Sequence, residues 1–136
     1  MFETFDHTAD LGLRVRAATL DILFAEAGLA LFAAIVEDLA TVRPAQRVEI
    51  AVAGTDREYL LFDWLNGLLY RSDADHMLFS RFDVTLNDTG LAAVAWGELQ
   101  DWDRHAPNHE VKAITYHGLK VEPTADGWLA EVIVDI

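Results

Sequence analysis

The stretch Leu11-Gly12-Leu13-Arg14-Val15-Arg16-Ala17-Ala18-Thr19-Leu20-Asp21-Ile22-Leu23-Phe24 changes its period part-way along. Leu11, Leu13 and Val15 alternate with Gly12, Arg14 and Arg16, which predicts a strand over Gly12 to Arg16 with one buried and one solvated face. Thr19 then has the chemistry of an N-cap. Beyond it Leu20, Leu23, Phe24, Ala27, Leu31, Ala34 and Ile35 recur at helical spacing and make a broad apolar stripe. A half-buried strand running into a helix with its own buried face requires a sheet covered by helices.

A first strand is expected over Phe2 to Phe5. A third follows Pro44, where Val48, Ile50 and Val52 alternate with Arg47, Glu49 and Ala51, and Gly54 ends it. Thr55 and Glu58 have the spacing of a capping box opening a second helix. Leu61, Leu65, Leu68 and Leu69 mark its inner face. The second half reads mostly as strands: Leu78 to Leu86, Leu91 to Leu99, Val111 to Tyr116, Leu119 to Glu122 and Trp128 to Val134. Asn87-Asp88-Thr89-Gly90 and Asp126-Gly127 are hairpin turn signals. The expected fold is α+β: a single compact domain over residues 1–136, with one mostly antiparallel or mixed β-sheet and two main helices packed on one face.

Bulk composition agrees. A chain of 136 residues with 52% hydrophobic residues can bury a real core. It contains no cysteine, which excludes a disulfide framework, a thiolate zinc site and a cysteine nucleophile. The start, Met1-Phe2-Glu3-Thr4-Phe5-Asp6, does not read as a secretory signal. Leu20 to Val36 carries Asp21 and Glu26 and is too polar and short to span a membrane. A cytoplasmic location is therefore expected. The net charge is −13, from 23 acidic and 10 basic residues. Such a surface repels phosphate backbones, so direct nucleic-acid binding is not expected. It suits cations or basic protein surfaces, and it also serves solubility alone.

Three segments carry chemistry. His7-Thr8-Ala9-Asp10-Leu11-Gly12 places a carboxylate at a tight connection between strands, either as a functional group or as an acceptor of local backbone N–H bonds. Val132-Ile133-Val134-Asp135-Ile136 continues apolar to its last residue, so the Asp135 side chain and the Ile136 α-carboxylate are expected to lie close together. Two such groups repel each other unless a cation is near, and a hard ion such as Ca²⁺, Mg²⁺ or Mn²⁺ takes oxygen ligands of this kind. A frayed, solvated end is the alternative. In His109-Glu110-Val111-Lys112-Ala113-Ile114-Thr115-Tyr116-His117-Gly118-Leu119, Lys112 could bind phosphate or a carboxylate, or be an ordinary exposed lysine. His117 could be a ligand or a hydrogen-bonded histidine beside a turn.

Asp63 is expected to be capping or solvated, and Asp73, Asp75 and His76 to form a solvated turn after the second helix. His105 and His109 have i, i+4 spacing, but Pro107 between them argues against a helical zinc site. No Walker loop, dinucleotide fingerprint, nucleophile elbow or zinc-protease motif is present.

Taken in order, four segments resemble the archease family. They are His7-Thr8-Ala9-Asp10-Leu11-Gly12, Leu60-Leu61-Phe62-Asp63-Trp64-Leu65-Asn66-Gly67-Leu68-Leu69-Tyr70, Glu110 to Leu119, and the end Asp135-Ile136. The resemblance implies a compact α+β domain that acts with a GTP-dependent RNA-splicing ligase. That ligase seals RNA halves bearing a 2′,3′-cyclic phosphate or 3′-phosphate, in tRNA splicing and RNA repair. The family promotes its guanylylation and lets it turn over repeatedly, without being the catalyst. It further implies a divalent-metal site at Asp10, Asp135 and the Ile136 carboxylate, and a functional role for Lys112; His7 and His117 are expected to be partner-facing alongside Lys112. Two other readings remain at this point. One is a chaperone-like modulator of an RNA-modifying enzyme. The other is a metal-dependent hydrolase using Asp10, Asp135 and His117.

Overall fold

The computed structural model describes residues 1–7 and 10–136. In chain order its elements are β1 (Phe2–His7), β2 (Asp10–Ala17), α1 (Leu20–Ile35), β3 (Gln46–Ala53), α2 (Arg57–Asp75), β4 (Met77–Asn87), β5 (Gly90–Leu99), β6 (Ala113–Ile114), β7 (Lys120–Thr124) and β8 (Gly127–Asp135). Thr19 caps α1 as expected, its hydroxyl accepting from the Ile22 N–H at 3.2 Å. The cap of α2 is Asp56, one residue later than the Thr55–Glu58 spacing suggests. Its Oδ1 accepts from the Tyr59 N–H at 3.0 Å, and Glu58 falls in the first turn, where its charge complements the helix dipole. Asp73 and Asp75 belong to the last turn of α2, not to a turn beyond it, and His76 ends the helix in the left-handed conformation (φ 55°).

The strands form two sheets, where the sequence suggested one. A five-stranded sheet runs β1-β2-β8-β6, with β7 also paired to β8, and a three-stranded sheet runs β3-β5-β4. Every pairing among the described strands is antiparallel. Two sheets arise because α1 lies between β2 and β4 and packs on both. Its stripe is broad enough to do so: Leu23, Phe24, Ala27, Ala30, Leu31, Phe32 and Ala34 are all essentially inaccessible. The buried residues of β2, β4, β5 and β8 join one continuous core with both helices. Trp64 anchors α2 within it. The ring is fully buried, edge-on to Phe82 at 5.6 Å, and donates its indole N–H to the Phe24 carbonyl at 2.9 Å.

The strand expected from Val111 to Tyr116 shrinks to Ala113–Ile114. Gly118 at φ 66° turns the chain, and Tyr116 leaves the sheet to stack on Phe62 of α2 at 3.9 Å.

The segment before β6 is tied to the C-terminal end of α1. The last carbonyls of a helix lack intrahelical donors. Here the His109 N–H donates to Ala34 (2.9 Å), the Asn108 N–H to Ile35 (2.8 Å) and the Asn108 side chain to Ala33 (3.3 Å). The same segment is held from the other side by Glu98 on β5. Its carboxylate accepts from the Arg43 N–H at 2.6 Å, from Arg104, and from His105 Nε2 at 3.0 Å. The Asp101 N–H donates to His105 Nδ1 at 3.0 Å, which places the ring proton on Nε2, facing Glu98. Both nitrogens of His105 are therefore engaged, and its ring is fully buried away from any ligand role with His109.

Arg104 above all, then the Arg43 N–H and His105, hold the Glu98 carboxyl at a pKa of about 2, below its usual 4.5. A depressed carboxyl pKa adds stability that is complete above the unfolded value and is lost as pH falls toward the folded one. Thermal unfolding of the wild type and Glu98→Gln across pH should show this. The wild type should melt higher at neutral pH, and its advantage should shrink between pH 4.5 and about 2. A difference that is constant with pH would refute it.

Candidate functional site

The register between β2 and β8 builds the site. Leu11 faces Val134, Gly12 faces Ile133 and Arg14 faces Glu131. Continued by one residue, the same register sets Asp10 opposite Asp135. The register thus brings onto neighbouring strands two carboxylates 125 positions apart in the chain. Paired residues share a face of the sheet. Leu11, Leu13 and Val15 turn inward, so Asp10 and Asp135 share the outer face with Gly12, Ile133, Arg14 and Glu131.

β1 supplies the next residue, because His7 pairs with Asp10. Thr8 and Ala9, which belong to the same motif, lie outside the described residues. His117 enters from the turn after β6, its ring 5.2 Å from that of His7. Lys112 is exposed, and its backbone N–H donates to the Asp135 carbonyl at 2.7 Å. Ile136 packs its side chain against the core, on the face away from Asp135. All six residues singled out from the sequence therefore gather at one end of the five-stranded sheet.

Charge is unevenly settled along this face. Arg14 pairs with Glu3 at 3.2 Å and Glu131 at 3.6 Å, and lies over the Phe5 ring at 4.5 Å. Lys120 also pairs with Glu131, at 3.6 Å. Among the described residues no lysine or arginine pairs with Asp10 or Asp135; the contact there is His7 Nδ1 to Asp10 Oδ2 at 3.9 Å. That is too long for a hydrogen bond. The nitrogen is buried and has no other partner among the described residues. Two carboxylates without a neutralising cation, beside an orphaned buried nitrogen, fit the donor chemistry of a divalent-ion site. No cluster of three or more His, Asp or Glu side chains is drawn together among the described residues. Any ion here would accordingly rest on the two side chains and a further oxygen.

Gly12 is part of the geometry. A Cβ there would stand 2.2 Å from the Phe5 ring, so only glycine lets that ring lie flat over β2. An isolated glycine in a strand pattern was the available signal for so close an approach. The aromatic group of the exposed Tyr59 and Tyr116 with the half-buried Phe62 left no comparable signal. It exists only because α2 and the turn after β6 meet.

The family model of the Archease protein family (MTH1598/TM1083) matches residues 2–136. The chain is 44% identical to the protein archease of Methanopyrus kandleri, with 99% of each chain covered. It is 39% identical to that of Pyrococcus furiosus, over 99% of this chain and 98% of the other. Its structure superposes on the solution structure of Methanobacterium thermoautotrophicum protein 1598 with a TM-score of 0.81 and 33% identity, covering 99% and 98% of the two chains. A crystal structure from Thermotoga maritima, described as an archease and possible chaperone, has the same fold. Its TM-score is 0.66 at 20% identity, covering 100% and 98%.

Facing carboxylates should repel. In metal-free buffer containing a chelator, Asp10→Asn is expected to stabilise the protein by about 0.5 kcal/mol, the scale of like charges opposed across strands. The gain should vanish when Asp135 is already Asn, because the cycle isolates the pair. Thermal unfolding of the four proteins measures this, and equal effects in both backgrounds would show that the two groups do not interact.

Proposed function

The chain belongs to the archease family, and from that membership we propose that it is the accessory protein of a GTP-dependent RNA-splicing ligase. On this reading the ligase joins RNA ends bearing a 2′,3′-cyclic phosphate or 3′-phosphate, in tRNA splicing and RNA repair. The accessory protein promotes guanylylation and multiple turnover, works in the cytoplasm, and does no catalysis itself. The observation that carries the proposal is the β2–β8 register that brings Asp10 opposite Asp135, with the Lys112 N–H bonded to the Asp135 carbonyl.

The physical logic is electrostatic. A protein of net charge −13 is attracted to a basic surface and repelled by RNA. An acidic tip of this kind suits a basic, metal-dependent cleft, and steering of this type speeds encounter and fixes orientation. Asp10, Asp135 and the carboxylate of Ile136 would hold a divalent ion such as Ca²⁺, Mg²⁺ or Mn²⁺, which would neutralise the mutual repulsion of the acids. Lys112, exposed beside them, is placed to meet a phosphate or a partner's carboxylate. His7 and His117 close the other side of the tip. Among the described residues no helix is long and apolar enough to cross a membrane.

The test is to count turnovers of a cognate ligase with GTP and Mn²⁺, with and without this protein. The protein alone should join no RNA, and the ligase should turn over repeatedly only in its presence. Equal turnover in both cases, across metals and GTP levels, would end the proposal. Stimulation that survives Asp10→Asn and Asp135→Asn would favour a chaperone-like modulator, the role suggested for the Thermotoga maritima protein. Phosphoester turnover by the protein alone would favour a hydrolase.

Lys112→Ala should change stability by no more than about 0.5 kcal/mol, as expected for an exposed side chain. It should lower stimulation roughly tenfold, the size of one lost charge contact of about 1.4 kcal/mol. Unfolding and turnover measured on the same sample decide this. A large loss of stability with normal stimulation would make Lys112 structural.

A further inference from the structure

Beside the acidic tip a group of rings extends from the core, at Phe62, out to the surface. Tyr59 and Tyr116 are 60% and 54% exposed, although each is large and aromatic. Phe62 stacks on Tyr116 at 3.9 Å with the planes 15° apart, covering one face of that ring. Tyr59 meets it edge-on at 5.6 Å. Glu58, Tyr59, Tyr116 and Leu119 line an open hollow of about 420 Å³.

The charges around the hollow are one-sided. Glu58 is on its wall, and Asp56 and Asp63 are exposed on the same stretch of chain. The basic residues next to this lining in the chain have partners elsewhere: Arg57 lies over Trp128 at 4.7 Å, and Lys120 pairs with Glu131. Exposed aromatic rings beside a carboxylate with no ionic partner among the described residues suit a planar cation. A guanidinium stacks on a ring while its fork of N–H groups reaches a carboxylate, whereas an ammonium is compact and more strongly hydrated. Tyrosine and arginine are, with tryptophan, enriched at the energetic centres of protein interfaces.

We propose that the hollow between Tyr59 and Tyr116 receives an arginine side chain from a basic protein surface, stacked on Tyr116 and paired with Glu58. A nucleic acid is disfavoured as occupant, because its phosphates would face Glu58, Asp56 and Asp63. Assigning that basic surface to the ligase rests on the function proposed above; the preference for arginine does not.

The full-length chain is titrated with N-acetylarginine amide, and in parallel with its lysine and uncharged citrulline counterparts, while the tyrosine ring resonances are followed by NMR. Arginine should shift the Tyr59 and Tyr116 rings, lysine should do so several-fold more weakly, and citrulline should have no effect. Tyr116→Ala and Glu58→Gln should abolish or strongly weaken the response while each protein remains folded, and Tyr116→Phe should preserve it. Equal responses to all three compounds, or an unaltered response in Glu58→Gln, overturns the proposal. In the ligase assay, Tyr116→Ala should raise the concentration for half-maximal stimulation roughly tenfold and leave the maximum unchanged. If the wild type stimulates and Tyr116→Ala acts at the same concentration, the hollow is not a docking point and the accessory function stands. If the wild type does not stimulate at all, the function fails, and the arginine titration still decides the hollow.

Discussion

Everything at the candidate site follows from the antiparallel pairing of β2 with β8. It joins the beginning of the described chain to its end across the middle of the five-stranded sheet, with β1 on one side and β6 and β7 on the other. Strand alternation leaves little freedom once that pairing exists. Leu11, Leu13 and Val15 must face α1 together with Val132 and Val134, so Asp10 and Asp135 must share the opposite face. A slip of one residue would turn every one of these side chains over, burying acids and exposing valines. The core therefore enforces the placement of the two carboxylates on one face.

A second constraint fixes how the rest of the tip is delivered. The chain between β5 and β6 has little regular structure, yet it is anchored at both borders. Its backbone and Asn108 satisfy the open carbonyls of α1, and Glu98 gathers Arg104, His105 and the Arg43 N–H in one place. These bonds pin a loop to two rigid elements. Lys112 leaves that loop with its backbone already bonded to Asp135, so its position beside the acids depends on contacts made well away from them. In this region the interior polar groups have partners, as burial requires.

The electrostatic pattern divides the outer face in two. Arg14, Glu3, Glu131 and Lys120 neutralise one another in the body of the sheet, with Arg14 also spread over Phe5. Toward the end the pairing stops, and Asp10, Asp135 and the buried nitrogen of His7 lack such partners among the described residues. Groups that could have been balanced and were not are more informative about function than the overall negative charge, which solubility alone could explain.

Local chemistry determined much of this protein from the sequence alone. Period-two patterns gave most strands and the helical stripe gave α1. Thr19 gave its cap, and the Asn87 to Gly90 and Asp126-Gly127 turns gave two hairpins. The order of four short motifs gave the family. Each of these depends on residues close together in the chain. The errors share one cause, competition settled at a distance. The choice of Asp56 over Thr55 as a cap, and the continuation of α2 through Asp75, depend on how the helix seats in the core. The division into two sheets depends on α1 being apolar widely enough to pack on both. The strand after Lys112 is short because Gly118 turns the chain and Tyr116 stacks on Phe62 of α2 instead of continuing the ladder. Most of all, the sequence could name Asp10 and Asp135 but could not measure the space between them. Only the register of β2 against β8 does that, because strand pairing joins residues that the chain itself holds farthest apart.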